Sequence, residues 1–278
     1  MSDQPSLLFG FPEAQYDFEK RYKPLAMGLS NIKVACDIAI SNSSTTTLEE
    51  KVLNFLAWQA FEDFSEIFLL CANGCNNGAR KILRGMYERV VYFLYLEKHR
   101  EQIELYMNYF WIDRYKTAKR LPEIVKDEDK KELEEMYEKY KSDYEVPVCD
   151  VCRVEDCTKC KKKRVNYSWT RVDIVTMAKQ VGIPDKLTEM AYYISMEETH
   201  PKVGAILRRL KFDEDSNLFH DMYPKDGEER QPLIAAHFFL IKILDMLKTC
   251  FKIEALEEPL KICLKDFNDT WKKQNAEI

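Results

Sequence analysis

The chain has 278 residues, 46% of them hydrophobic, with eight glycines, ten prolines and a formal net charge of −5. So few turn-forming residues exclude a β-sandwich and favour long helices around a substantial core. The acidic balance excludes a generally basic, nucleic-acid-coating surface, although it leaves room for a local basic patch.

No apolar run approaches the ~20 residues that span a bilayer. The opening stretch MSDQPSLLFGFPEAQ lacks the basic n-region and long apolar core of a signal peptide. The expected compartment is therefore the cytoplasm, with no membrane partner. In chain order, helical periodicity from Tyr16 to Ile40 is interrupted at Pro24, where a helix should break or begin. Thr47 with Glu50 has capping-box spacing and predicts a helix from Leu48 to about Ala72, with Val52, Phe55, Leu56, Phe61, Phe64, Ile67 and Phe68 in the core. Asn73 and Gly74 can stop it.

The next helix, Asn76 to His99, organises the rest. Ala79, Leu83, Met86, Val90 and Leu94 make one face apolar, while Arg80, Arg84 and Glu88 stand four apart as a row of charge on a neighbouring stripe. A tyrosine- and tryptophan-rich helix follows from Glu101 to Arg120, then a thinly apolar one capped by Asp127 and running through Tyr140. Beyond the cysteine segment, helices are expected over Val172 to Gln180, from Pro184 to Ile194, from Pro201 to Leu210, from Pro232 to Ile253 and from Pro259 to near Trp271. Ser195 with Glu198 repeats the capping-box spacing, and Lys211 to Arg230 reads as a polar surface loop.

Cys149, Cys152, Cys157 and Cys160 read C-x2-C-x4-C-x2-C. Two C-x2-C knuckles can complete the tetrahedral thiolate shell of a structural zinc, and four thiolates leave no open position for a catalytic water. Neighbouring Lys159, Lys161, Lys162, Lys163 and Arg164 would offset the charge of such a centre. Cys152, Cys157 and Cys160 also match part of a plant-type iron–sulfur spacing, although the fourth ligand is not where that pattern needs it. A cluster without metal is the third alternative. The same basic run can touch a phosphate backbone. Cys36, Cys71, Cys75, Cys250 and Cys263 sit in apolar helical surroundings and read as small core residues.

Among the histidines, His237 lies in an apolar helix and reads as a core residue. Arg230, seven positions before it, completes a formal match to the R-x4-6-H pattern of HEPN ribonucleases, but Pro232 interrupts the interval. His200 and Ser195 flank a short turn between two helices, where they can cap backbone amides, meet an anion, or approach Arg84 and Glu88.

The stretches GARKILRGMYERVVYFLYL and YYISMEETHP resemble an uncharacterised family of bacterial all-helical proteins. Its members combine an A-x4-R-x3-E helix with a downstream S-x3-H motif. By position the matching residues are Ala79, Arg84, Glu88, Ser195 and His200, the serine-to-histidine interval being one residue longer here. The likeness covers roughly Val52 to Leu247. It extends to HEPN-like helical bundles, and so implies a protein of a bacterial stress or phage-defence system acting as a metal-independent endoribonuclease. His200 would then be general acid or base, with Arg84 and Arg80 on the phosphate and Glu88 orienting Arg84.

The reading is therefore an all-α protein: one elongated helical bundle over 1–278 from which a zinc-knuckle hairpin over 145–166 projects. Arg84, Glu88 and His200 are the candidate catalytic residues, Arg80 and Ser195 the binding residues. RNA or another nucleic acid, a protein partner or a second copy of the chain are the candidate partners. The competing reading is a non-enzymatic scaffold in which these polar residues hold helices together, or a nucleic-acid-binding accessory protein. Placement discriminates: a solvent-reachable constellation favours ligand or catalysis, a buried and mutually satisfied one favours structure.

Overall fold

The computed structural model describes residues 11–43, 45–147, 163–200, 203–207, 210–212, 217–220 and 227–275. These residues form an all-α fold, in which β-structure is limited to two short hairpins. By their contacts the chain divides into two compact units, 1–98 with 177–278, and 99–176. The expected insertion at 145–166 lies within the second unit, which begins well before it.

In the first unit, helix α1 (Pro12–Arg21) ends one residue before α2 (Lys23–Asn42), and Pro24 sits in the first turn of α2, where its missing N–H costs nothing. Helix α3 (Leu48–Ala72) opens on the expected capping box: the Glu50 amide donates to the Thr47 hydroxyl at 3.2 Å, and the Thr47 amide donates to the Glu50 carboxylate at 3.1 Å. Gly74, at φ 73°, turns the chain sharply into α4 (Asn76–Lys98), and the two helices pack as a hairpin along their length. Helix α11 (Arg230–Cys250) lies against both, and α12 (Glu257–Asn275) packs on α2 and α11. Ala57 and Ala60 of α3, Ala79, Met86 and Val90 of α4, and Ala236, Phe239 and Leu240 of α11 are wholly buried. Phe55 departs from expectation: it is 60% exposed, on the outer side of α3. Glu229, just before α11, ties that helix to the N-terminal pair by accepting from Tyr22 Oη and Arg21 Nη1, both at 3.2 Å.

The second unit contains α5 (Ile103–Arg120) and α6 (Asp127–Tyr140), packed on each other with Tyr115 and Tyr137 stacked at 3.9 Å. Lys126, not Asp127, takes the cap position of α6, and Asp127 is the first helical residue, where its charge still suits the helix dipole. Strands β1 (Glu145–Pro147) and β2 (Lys163–Val165) pair antiparallel, Pro147 opposite Lys163. Asn166 anchors the base of this ladder: its carbonyl accepts from Lys116 Nζ at 2.6 Å, and its amide donates to Thr170 O at 2.9 Å.

Helix α7 (Ile174–Gln180) is capped by Asp173, which accepts from the amides of Val175 and Thr176, and Gly182 at φ 75° closes it. Helices α8 (Asp185–Thr188), a π-helical segment (Glu189–Ile194) and α9 (Ser195–Thr199) follow without a break, then α10 (Val203–Leu207). Of the helix expected from Pro201 to Leu210, the described residues form Val203–Leu207, and Leu210 itself stands in a strand. Strands β3 (Leu210–Phe212) and β4 (Leu218–His220) pair antiparallel, and from Lys211 on they lie where a polar surface loop was expected. Three-residue strands carry too little pattern to register as such in a sequence.

Candidate functional site

The apolar face of α4 fixes the helix so firmly that its polar stripe has one orientation. Leu83, Met86, Val90 and Val91 are essentially inaccessible, each such side chain contributing about 1.5–3 kcal/mol of burial. On the neighbouring stripe stand Asn76, Arg80, Arg84 and Glu88, four residues apart. The row runs from the interior to the surface. Asn76 is 2% and Arg80 9% exposed, Arg84 is partly buried and Glu88 more open. Arg80 is thus no part of an exposed charge row. Its Nη1 lies 3.9 Å from Glu198 Oε1, itself buried, and its Nη2 donates to Glu228 O at 3.4 Å.

The opposing wall is the helix over 185–199. Its π-helical segment holds one more residue per turn than an α-helix, a local feature often found at functional sites. Tyr87 of α4 donates from its hydroxyl to Thr188 Oγ1 at 3.2 Å, and burial pushes that hydroxyl up to about 12, so it stays a neutral donor. Ser195 is wholly buried and donates to Met190 O, five residues back, at 3.2 Å. It forms no cap, because Ile194 before it is already helical. The capping box expected from Ser195 and Glu198 is therefore not made, and the Ser195 hydroxyl serves the π-turn rather than a ligand.

His200 follows the last helical residue in an extended conformation (φ −111°, ψ 148°) and is exposed. Its ring direction is then not dictated by helical spacing from Ser195, and it turns back so that Nε2 lies 3.3 Å from Arg84 Nη1. Arginine has no acceptor, so this contact calls for Nε2 as the acceptor, which the tautomer protonated on Nδ1 provides. Arg84 Nε donates to Glu88 Oε1 at 3.2 Å, and its guanidinium carbon lies 5.1 Å from the centre of the Tyr192 ring. Nη2 of Arg84 has no partner among the described residues. The structure thus brings Arg84, Glu88 and His200 together across 116 residues of sequence, at the surface, with Arg80 one turn deeper.

Chemically, this is a guanidinium held by a carboxylate and an aromatic face beside an exposed imidazole. Such a group can bind an anionic oxygen while the ring moves a proton. Tyr192 and Glu198 were missed in the sequence. Glu198 had only a capping role there, and the π-helical register hides Tyr192 from 3.6-residue spacing.

The other sequence candidates fall elsewhere. His237 is fully buried in α11, accepting from Trp271 Nε1 at 3.2 Å, and burial pushes its imidazole down to about 4. Arg230 is the first residue of that same helix, so the formal R-x4-6-H match places one partner in the core. Cys149, Cys152, Cys157 and Cys160 lie outside the described residues. Among the described residues no group of three or more histidine, cysteine or acidic side chains is arranged to hold a metal, and no helix is long and apolar enough to cross a membrane.

A protein-family model described as a family of unknown function (DUF5677) matches residues 50–217, the stretch that carries both α4 and His200. No curated protein and no solved structure matches the chain.

Proposed function

Because that match spans more than half of its length, the chain belongs to this family of unknown function, and we propose that it is a HEPN-like helical protein of a bacterial stress or defence system that cleaves RNA without a metal ion. The observation that carries the reading is the 3.3 Å approach of Arg84 Nη1 to His200 Nε2 at a solvent-reachable surface. In this scheme a phosphodiester draws Arg84 onto a non-bridging oxygen and frees Nε2. His200 then takes the proton of the 2′-hydroxyl, the 2′-oxygen bonds to phosphorus, the P–O5′ bond breaks, and the 5′-oxygen takes a proton from water. Glu88 keeps Arg84 in place, and the guanidinium stabilises charge gathering on the phosphate.

The test is cleavage of an end-labelled single-stranded RNA in excess chelator. Wild type should yield 2′,3′-cyclic phosphate ends and spare a 2′-deoxy analogue, and His200→Ala should lose about 10²-fold or more in rate. Equal cleavage by wild type and His200→Ala sinks the scheme. A scaffold reading draws support from the buried Arg80–Glu198 pair, which links α4 to α9. It expects no cleavage by any form.

For the cysteine segment we propose one structural zinc held by Cys149, Cys152, Cys157 and Cys160. The pairing of Glu145–Pro147 with Lys163–Val165 supports this reading, because it ties both ends of the segment together and reduces the loop entropy that metal binding must overcome.

A further inference from the structure

The deep end of the α4 stripe holds polar groups that the scheme above does not use. Arg80 Nε, Asn76 Oδ1 and Asn77 Oδ1 are buried with no hydrogen-bond partner among the described residues. Arg80 is 9% exposed and Asn76 2%. Native proteins leave few such atoms unpaired, and a buried guanidinium is costly without good partners. Arg80 has poor ones. Its ion pair with Glu198 at 3.9 Å is too long for a hydrogen bond, and its bond to Glu228 O is stretched to 3.4 Å.

Direction supplies the rest. Side chains of an α-helix lean toward its N-terminus, so Arg80 reaches back over the first turn of α4, where Asn76 and Asn77 stand. The amides of Asn76, Asn77 and Gly78 have no intrahelical acceptor, whereas that of Ala79 donates to Cys75 O at 3.1 Å, and the dipole of this 23-residue helix favours negative charge there. Rotating an asparagine amide exchanges its oxygen for a donating NH2, an orientation that heavy atoms do not distinguish. Two arginines one turn apart, an exposed imidazole beside the outer one and unpaired groups near the inner one make a polar track leading inward from His200, which becomes rich in donors when the two asparagine amides are turned over.

We propose that the start of α4 is a phosphate subsite, in which Arg80, Asn76 and Asn77 hold a second phosphate of the substrate one turn inside the Arg84–His200 pair. The proposal rests on the ribonuclease reading for the identity of that substrate. Glu198 is then the anion's competitor: it occupies Arg80 loosely in the free protein and gives way when phosphate enters.

This assigns Glu198 a sign that a structural ion pair does not have. Titration calorimetry with inorganic phosphate, against chloride at matched ionic strength, should show saturable binding to the wild-type protein. Arg80→Gln should weaken it about tenfold or more, and Glu198→Gln should tighten it about threefold by removing a repelling charge. Circular dichroism checks that each variant is folded, and should Arg80→Gln not fold, the wild type and Glu198→Gln still decide. Absence of phosphate binding by the wild type overturns the subsite, as does weaker binding in Glu198→Gln. RNA cleavage measured on the same samples separates the two readings. Phosphate binding without RNA cleavage leaves the subsite and removes the ribonuclease, whereas cleavage that depends on His200 without phosphate binding does the reverse.

Discussion

Inside α11 the imidazole of His237 accepts from Trp271 Nε1 and lies against the rings of Phe64 and Phe267. Burial holds it neutral down to about pH 4, whereas in the unfolded chain it takes a proton near 6.5. Between those values the unfolded state binds the extra proton, so stability falls as the pH falls, by about 3 kcal/mol at the low end. Asp63 works in the opposite sense. Burial raises its carboxyl to about 6 although Arg89, 2.6 Å away, pulls it down. Between about pH 4 and 6 the folded state holds a proton that the unfolded one releases, so this group adds stability as the pH falls. Urea unfolding at pH 7, 5.5 and 4.5 should resolve the two. His237→Phe should lose the acid-induced drop and Asp63→Asn the compensating rise. Parallel pH profiles for wild type and His237→Phe would refute the assignment of that drop to His237.

Among the elements, α3 and α4 were legible in the sequence and the helix over 185–199 was only half so. The capping box at Thr47 is local chemistry written in four consecutive residues, and Thr47→Ala should cost about 1 kcal/mol in chemical denaturation. Helix α4 was legible because Ala79, Leu83, Met86, Val90 and Leu94 recur at 3.6 and are all buried, so packing and pattern agree. What fails is the same reasoning applied where the backbone leaves that period. The π-helical segment shifts the register between Thr188 and Ser195, which turns Ser195 inward to Met190 O and brings Tyr192 over Arg84. The burial of Arg80 was likewise hidden, because a stripe of charge reads as a surface until the opposing wall with Glu198 is in place. These placements separate two residues that the motif treats alike. Ser195→Ala should lower stability by about 1 kcal/mol and leave RNA cleavage per folded molecule unchanged, whereas Arg84→Ala should abolish cleavage while the helices stay folded. A loss of cleavage in fully folded Ser195→Ala would return that serine to the chemistry.

At the scale of the whole molecule, the chain's charge and its four-cysteine segment pull in different directions. The net charge is −5, yet the residues that frame the segment on β2, Lys163 and Arg164, are exposed and basic, and Lys163 pairs with Glu145 across the ladder at 3.4 Å. Local positive charge lowers the cost of gathering thiolates, and thiolates must form before a metal binds. The ladder itself needs no metal for its anchorage, because Asn166, Lys116 and Tyr144 secure its base to α5 by hydrogen bonds, Tyr144 Oη donating to Leu105 O at 2.6 Å. Metal removal should therefore act within the loop and stop at the ladder. Protein purified under reducing conditions should carry one zinc per chain by elemental analysis. Stripping it with a strong chelator should expose the segment between Pro147 and Lys163 to proteolysis and to thiol alkylation, while the helical circular dichroism signal and the unfolding midpoint stay close to those of the metal-bound protein. Neither zinc nor iron in the purified protein would remove the site altogether. Loss of the helical signal on chelation would instead make the metal a foundation of the fold, which the hydrogen bonds at the base of the ladder argue against.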